Sequence, residues 1–256
     1  VHDGKLSMIT FKYARWKNFL STGNTFTEIQ LDRSPTTLII GENGAGKSTL
    51  IKTVSGVHKP NSGEILVNGK VVKFKSPRDA LDRGIATLHQ TLALIPLMSI
   101  MRNFFMGREP LKYRFGHIDL NKANKIVREE LLNIGIDVRE PSETVGKLSG
   151  GERQCVAIAR AVYFGAKVLI LDEPTSALDV QSQKTVLKLL KSLNKDKRLT
   201  IVLISHDLRI VMETVDRLAV LYKGEIIETG NPNTIYNNPQ RSYTESLIRS
   251  EQDNEK

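Results

Sequence analysis

With 256 residues, 40% of them apolar and 25% charged, the chain is sized for one large domain or two lobes sharing a core. No window nears the roughly 18–20 uninterrupted apolar residues of a membrane span, and the polar start "VHDGKLS" does not read as a secretory leader. A formal charge of +9 would suit nucleic acid or an anionic membrane surface. However, the lysines and arginines are scattered rather than massed, so a solvated basic surface is favoured over a nucleic-acid groove. The lone Cys155 excludes an internal disulfide and suits a reducing compartment.

In chain order, the first thirty residues alternate as strands do, from "MITFKYARW" to "TFTEIQL". "TTLIIGENGAGKSTLIKTVSG" then reads as an apolar strand, a glycine loop and a helix closed by Gly56. Two short apolar runs flank Asn68-Gly69 within residues 63–74, which predicts a hairpin. "SPRDALDRG" (76–84) has a serine cap, proline at the first helical position and a terminal glycine, and the strand "IATLHQ" follows. Residues 91–146 are expected to be largely helical, with Ile126, Val127, Leu131 and Ile134 at helical spacing. Beyond them, helix and strand alternate: a helix after Gly151, strand 167–172, helix 180–194, strand 199–204, helix 207–214 and strand 217–222. Such alternation predicts an α/β fold with a largely parallel sheet covered by helices.

"GENGAGKST" (41–49) has the spacing of a phosphate loop, with a strand before it and a helix after it. Its glycines free backbone N–H groups to face phosphate oxygens, and the helix start adds the positive end of its dipole. Lys47 would reach the β- and γ-phosphates, and the Ser48 hydroxyl would sit on Mg²⁺. Asn43, Gly44, Gly46 and Thr49 complete this binding set. No guanine-reading Asn-Lys-x-Asp stands in the usual place, which favours ATP over GTP.

"VLILDE" (168–173) ends a buried strand on two carboxylates that alternation points to different sides. Asp172 would hold Mg²⁺, and Glu173 would orient or deprotonate the attacking water. Gln90 and His206 also end predicted strands, at the edge where ligands of open α/β sheets gather, and His206 is read as a γ-phosphate contact. A second glycine pair stands before a helix in "LSGGERQ" (148–154), where Ser149, Gly150 and Gly151 offer a hydroxyl and backbone donors to an anion. One site has no use for two anion cradles. A dimer would resolve this, with the second cradle closing over a γ-phosphate held by another subunit.

Together these residues resemble the ATP-binding-cassette (ABC) ATPases: the phosphate loop, Gln90 as Q-loop (a further Mg²⁺ contact), "LSGGERQ" as signature, "LILDE" as Walker B, "SALD" ending at Asp179 as D-loop, and "SH" with the switch His206. The resemblance implies a P-loop NTPase fold: a RecA-like core, an antiparallel β subdomain and a helical lobe at about 91–165. Residues 8–248 would form one such domain, with 1–7 a tag remnant and 249–256 a polar tail. It also implies head-to-tail dimers around two ATP, Mg-dependent hydrolysis, and membrane-spanning permease partners docked near "LALIPLMSIMRNFF" (92–105) at the inner face of the cell membrane. Within the family, residues 49–178 are similar to sugar-importer subunits, 199–248 to oligopeptide-importer subunits, and 8–47 to recombination and DNA-repair ATPases. The patchwork leans towards an engineered chimera. "RSPTT" replaces the importers' usual residues before the first sheet strand, leaving Tyr13, Trp16 and Phe19 as candidates to stack on adenine. A DNA-repair ATPase is one alternative, favoured by the N-terminal segment and by Glu152 in the signature; the short distance between motifs and the single cysteine speak against its coiled coil and zinc hook. An engineered chimeric scaffold without a native partner is the other.

Overall fold

A computed structural model describes residues 13–17, 27–30, 36–60, 62–67, 70–112, 116–136, 140–205, 208 and 212–253. Six strands make the central sheet: β3 (Thr36–Ile40), β6 (Ile85–Leu88), β7 (Val168–Asp172), β8 (Thr200–Ile204), β9 (Arg217–Tyr222) and β10 (Glu225–Gly230). Their order is β10-β9-β3-β8-β7-β6, parallel throughout except for β10, which returns antiparallel on β9. A second, four-stranded antiparallel sheet runs in the order β2-β1-β4-β5, from β1 (Tyr13–Lys17), β2 (Thr27–Gln30), β4 (Ser62–Val67) and β5 (Lys70–Val72). β4 and β5 form the expected hairpin; its Asn68-Gly69 turn lies outside the described residues.

The central strands are apolar on both faces because both are covered. On β7, Leu169 and Leu171 enter one core cluster, while Val168 and Ile170 enter the other. On β8, Ile201 and Leu203 divide from Val202 and Ile204 in the same way. The second cluster packs under α1 (Lys47–Val54) through Leu50, Ile51 and Val54. The first takes the inner faces of α4 (Leu120–Asn133), α5 (Gly150–Tyr163) and α6 (Val180–Lys197). By this alternation Asp172, ending β7, follows Ile170 towards the α1 side.

α2 (Pro77–Asp82) begins as its sequence announces, with the Ser76 side chain accepting from the Asp79 N–H and proline in the first turn. The stretch 91–146 departs from expectation. Among its described residues it holds α3 (Ile100–Phe105), α4 and the start of a 3-10 turn at Val145, with two isolated bridges, Ser99–Thr144 and Leu111–Ile118. Phe104 and Phe105 of α3 meet Tyr163 and Phe164 at the end of α5, at centroid distances of 5.0–6.2 Å. Of the predicted helix 207–214, several residues lie outside the described set. Two short helices close the chain, α7 (Pro232–Asn237) and α8 (Ser242–Asp253).

Candidate functional site

The parallel strands put the loops after β3, β6, β7 and β8 on one edge of the sheet. After β3, the chain turns through Gly44 at φ +87° and Gly46 at φ +106°, left-handed conformations that side chains strain to adopt. Gly46 is the N-cap of α1 and no side chain caps the helix, so its first-turn N–H groups are left without side-chain partners beside the exposed Ser48. Asn43 and Gly44 are also exposed, and Thr49 is half-buried.

Lys47 folds back so that Nζ donates to the Gly41 carbonyl at 2.6 Å and lies 3.9 Å from Glu173 Oε1. The two side chains are only 12% and 17% exposed, so this pair sits largely out of bulk water. Glu173 itself leaves β7 at φ +51°, its N–H bonded to the Ile204 carbonyl at 2.8 Å. A non-glycine residue in that conformation marks local strain at a site that over-determines it. Burial pushes the Asp172 carboxyl up from its ordinary value, and Glu173 adds to this, while His89 and Lys47 oppose it. His89 Nδ1 stands 3.9 Å from Asp172 Oδ2.

Gln90 follows β6 and donates from Nε2 to Ser176 Oγ at 3.3 Å; that hydroxyl donates in turn to the Glu173 carbonyl at 3.1 Å. Gln90, Glu173 and Gly150 share the wall of a cavity of about 400 Å³. His206 and Phe19 lie outside the described residues, as do the side chains of Tyr13 and Trp16 in β1.

Ser149 and Glu152 turn out to serve each other. The Ser149 hydroxyl oxygen accepts the Glu152 N–H at 3.2 Å, and a Glu152 carboxylate oxygen accepts the Ser149 N–H at 2.7 Å. This capping box explains Glu152 locally, without reference to ancestry, and leaves the serine O–H free to donate. The glycine pair has a packing cause as well. A Cβ on Gly150 would stand 2.8 Å from Leu178 Cδ2, and one on Gly151 2.8 Å from Ser182 Cβ. Asp179 caps α6, accepting from Ser182 N–H at 2.9 Å and Ser182 Oγ at 2.7 Å, and those bonds pull its carboxyl below the usual range.

Residue patterning gave no signal for Asn103. Fully buried, it accepts from the Ile95 N–H and donates to the carbonyls of Ile95, Met98 and Ser99, at 2.8–3.2 Å. The loop it gathers also takes N–H bonds from Val145 and Gly146 on the Met98 and Pro96 carbonyls, just before the signature segment. The Gln90 loop and the base of the signature are therefore one hydrogen-bonded unit.

The oxygen donors of Ser48, Gln90 and Asp172 are of the hard type that Mg²⁺ takes alongside phosphate oxygens, so the residues present fit that ion. Comparison with known proteins agrees with this geometry. The chain is 43% identical over 201 residues to the xylose/arabinose import ATP-binding protein XylG of Sulfolobus acidocaldarius, covering 78% of each. It is 42% identical over 200 residues to the fructose import ATP-binding protein FrcA of Rhizobium meliloti, covering 76% of each. Its fold overlays the dimeric post-hydrolysis structure of the ATP-binding cassette MJ0796 bound to ADP and Pi, with TM-score 0.68, 25% identity, 88% of this chain and 99% of that one. The ABC transporter family profile matches residues 27–176, which takes in the phosphate loop, the signature and the Asp172-Glu173 pair. The chain belongs to the ABC transporter family, as its ATPase cassette.

Proposed function

We propose that the chain is the nucleotide-binding subunit of a sugar importer, hydrolysing ATP at a site that a second copy completes. The observation that carries this reading is the meeting of Lys47 and Glu173 at 3.9 Å, a phosphate-loop cation beside a strand-end carboxylate. ATP phosphates would lie along the N–H groups from Gly44 to Thr49, with Lys47 turning from Gly41 and Glu173 towards the β- and γ-phosphoryl oxygens. Glu173 would orient the attacking water and accept its proton. His206 would contact the γ-phosphate, and Gln90 would sense it through the loop from Glu173 to Ser176. Ser48, Gln90 and Asp172 would hold Mg²⁺, which supplies positive charge against the phosphate oxygens. Desolvation of Asp172 makes its ionised form costly until a cation offsets it.

Ser149, with its O–H unspent by the cap, and the backbone of Gly150 and Gly151 would close over ATP held by the partner copy, with Asp179 nearby at the same surface. The permease would dock at the loop after Gln90, where Leu97 is 89% exposed. Among the described residues no helix is long and apolar enough to cross a membrane. The subunit would lie at the inner face of the membrane, against its permease. The import functions of XylG and FrcA support sugar as the cargo class. No observation in the site favours the DNA-repair reading once Glu152 has its capping role.

Phosphate release tests this directly. Wild type should turn over ATP only with Mg²⁺, and Glu173→Gln should fall by two or more orders of magnitude while still binding ATP. Equal turnover in wild type and Glu173→Gln would overturn the assignment.

A further inference from the structure

The phosphate loop is held from behind by a part of the chain that the family match, ending at residue 176, does not reach. A Cβ on Gly41 would fall 2.3 Å from the Leu221 carbonyl oxygen, and one on Gly46 3.2 Å from Gly224 Cα. The Gly224 N–H donates to the Ala45 carbonyl at 2.7 Å. The turn from β9 to β10 thus forms a backstop against which the loop rests. One side chain adds a directed bond: the Glu42 N–H donates to the phenolic oxygen of Tyr243 at 3.0 Å, from a residue 201 positions away on α8. Tyr243 is held in turn, its ring 4.2 Å from that of Tyr222 at 42°. Tyr222 is anchored at the end of β9, the strand hydrogen-bonded to β3.

We infer that Tyr243 is a positioning residue for nucleotide binding, its hydroxyl fixing the entry of the phosphate loop so that the loop's N–H groups are set before ATP arrives. Glu42 and its neighbours Asn43 and Gly44 are exposed, and the Tyr243 bond adds to the turn bond from Ala45 N–H to the Glu42 carbonyl in restraining this part of the loop. Gly44 and Gly46 give it conformational freedom, and freedom lost on binding weakens affinity. A bond made before binding removes part of that loss. The expected signature is a change in ATP affinity, with turnover at saturation preserved, because Tyr243 is bonded to the loop entry and to none of Lys47, Asp172 or Glu173.

The inference rests on the reading that residues 41–49 hold ATP, and the test separates the two. Tyr243→Phe keeps the ring against Tyr222 and removes only the acceptor. Mg-ATP binding to the full chain would be measured by calorimetry for wild type, Tyr243→Phe and Lys47→Ala, alongside thermal melting. Expected is a roughly two- to tenfold weaker affinity for Tyr243→Phe, the scale of one net hydrogen bond, with kcat unchanged and the melting temperature lowered by no more than about 2–4 °C. Affinity equal to wild type would overturn the inference, as would a loss accompanied by partial unfolding at the assay temperature. No ATP binding by wild type would overturn the phosphate-loop reading and this inference with it, whereas loss in Lys47→Ala alone would leave the reading and sink the inference.

Discussion

Ser149 and Glu152 bond to each other twice, each side chain accepting the other's backbone N–H, at 3.2 and 2.7 Å. The serine proposed to bind a partner's nucleotide is therefore also the cap of its own helix, and the two roles separate by substitution. Glu152→Ala removes one of the two bonds and should cost about 1 kcal/mol of stability, with ATP turnover changed little. Ser149→Ala should cost a similar amount and also depress turnover. Urea unfolding and phosphate release on the same preparations distinguish the two outcomes.

Gly151→Ala preserves the backbone N–H but drives a methyl towards Ser182 Cβ at 2.8 Å. The clash is with the first atom of a side chain on α6, which cannot swing away, so a loss of about 1–3 kcal/mol is expected. Gly150→Ala meets the far end of Leu178, which can rotate, and should cost less. Thermal melts of both variants would check the order; the reverse order would contradict the packing account.

Cys155 is 1% exposed, and burial, with Glu152 adding to it, pushes its thiol up from 9.0 to about 12. The native protein should resist alkylation at neutral pH and react only as urea unfolds it. The sign of the pH effect follows. Between about 9.0 and 12 the unfolded chain has lost this proton and the folded chain keeps it, so the stability it contributes is full below pH 9.0 and falls as pH rises. Cys155→Ala should flatten part of the alkaline decline seen in melting temperature.

Asn103→Leu would leave the Ile95 N–H without its side-chain acceptor and take one of two donors from each of the carbonyls of Ile95, Met98 and Ser99, which keep the backbone N–H groups of Met98, Val145 and residue 103. An expected cost of roughly 1–3 kcal/mol follows from one N–H losing its acceptor and the loop losing its side-chain ties. Denaturant midpoints would measure it, and a near-neutral result would contradict the pinning of this loop.

The sheet, the phosphate loop and the strand-end carboxylates were legible because each is a local pattern with one physical solution. "TTLII" is apolar on both faces and becomes a strand covered on both, and "GENGAGKST" has the glycines where φ must turn positive. The lobe after Gln90 was less legible: residues 91–146 are apolar enough for helices, but the Asn103 side chain ties down the loop at 95–99, a bond that hydrophobic spacing does not announce. Glu152 carries a local signal besides its family spelling, since Ser-x-x-Glu before a helix is a capping pattern. Tyr243 could not be found from sequence, since its partner is 201 residues away. The three-part patchwork also weakens, because the 201-residue alignment to XylG is longer than the stretch 49–178 and runs across at least one boundary.

The central claim is that one copy's Lys47 and another copy's Ser149 enclose the same nucleotide. Sedimentation velocity of Glu173→Gln with and without ATP tests it most directly. The expected result is a monomer that becomes a dimer only with ATP, and that stays monomeric when Ser149→Ala is added. A Glu173→Gln protein that binds ATP and remains a monomer would contradict the claim.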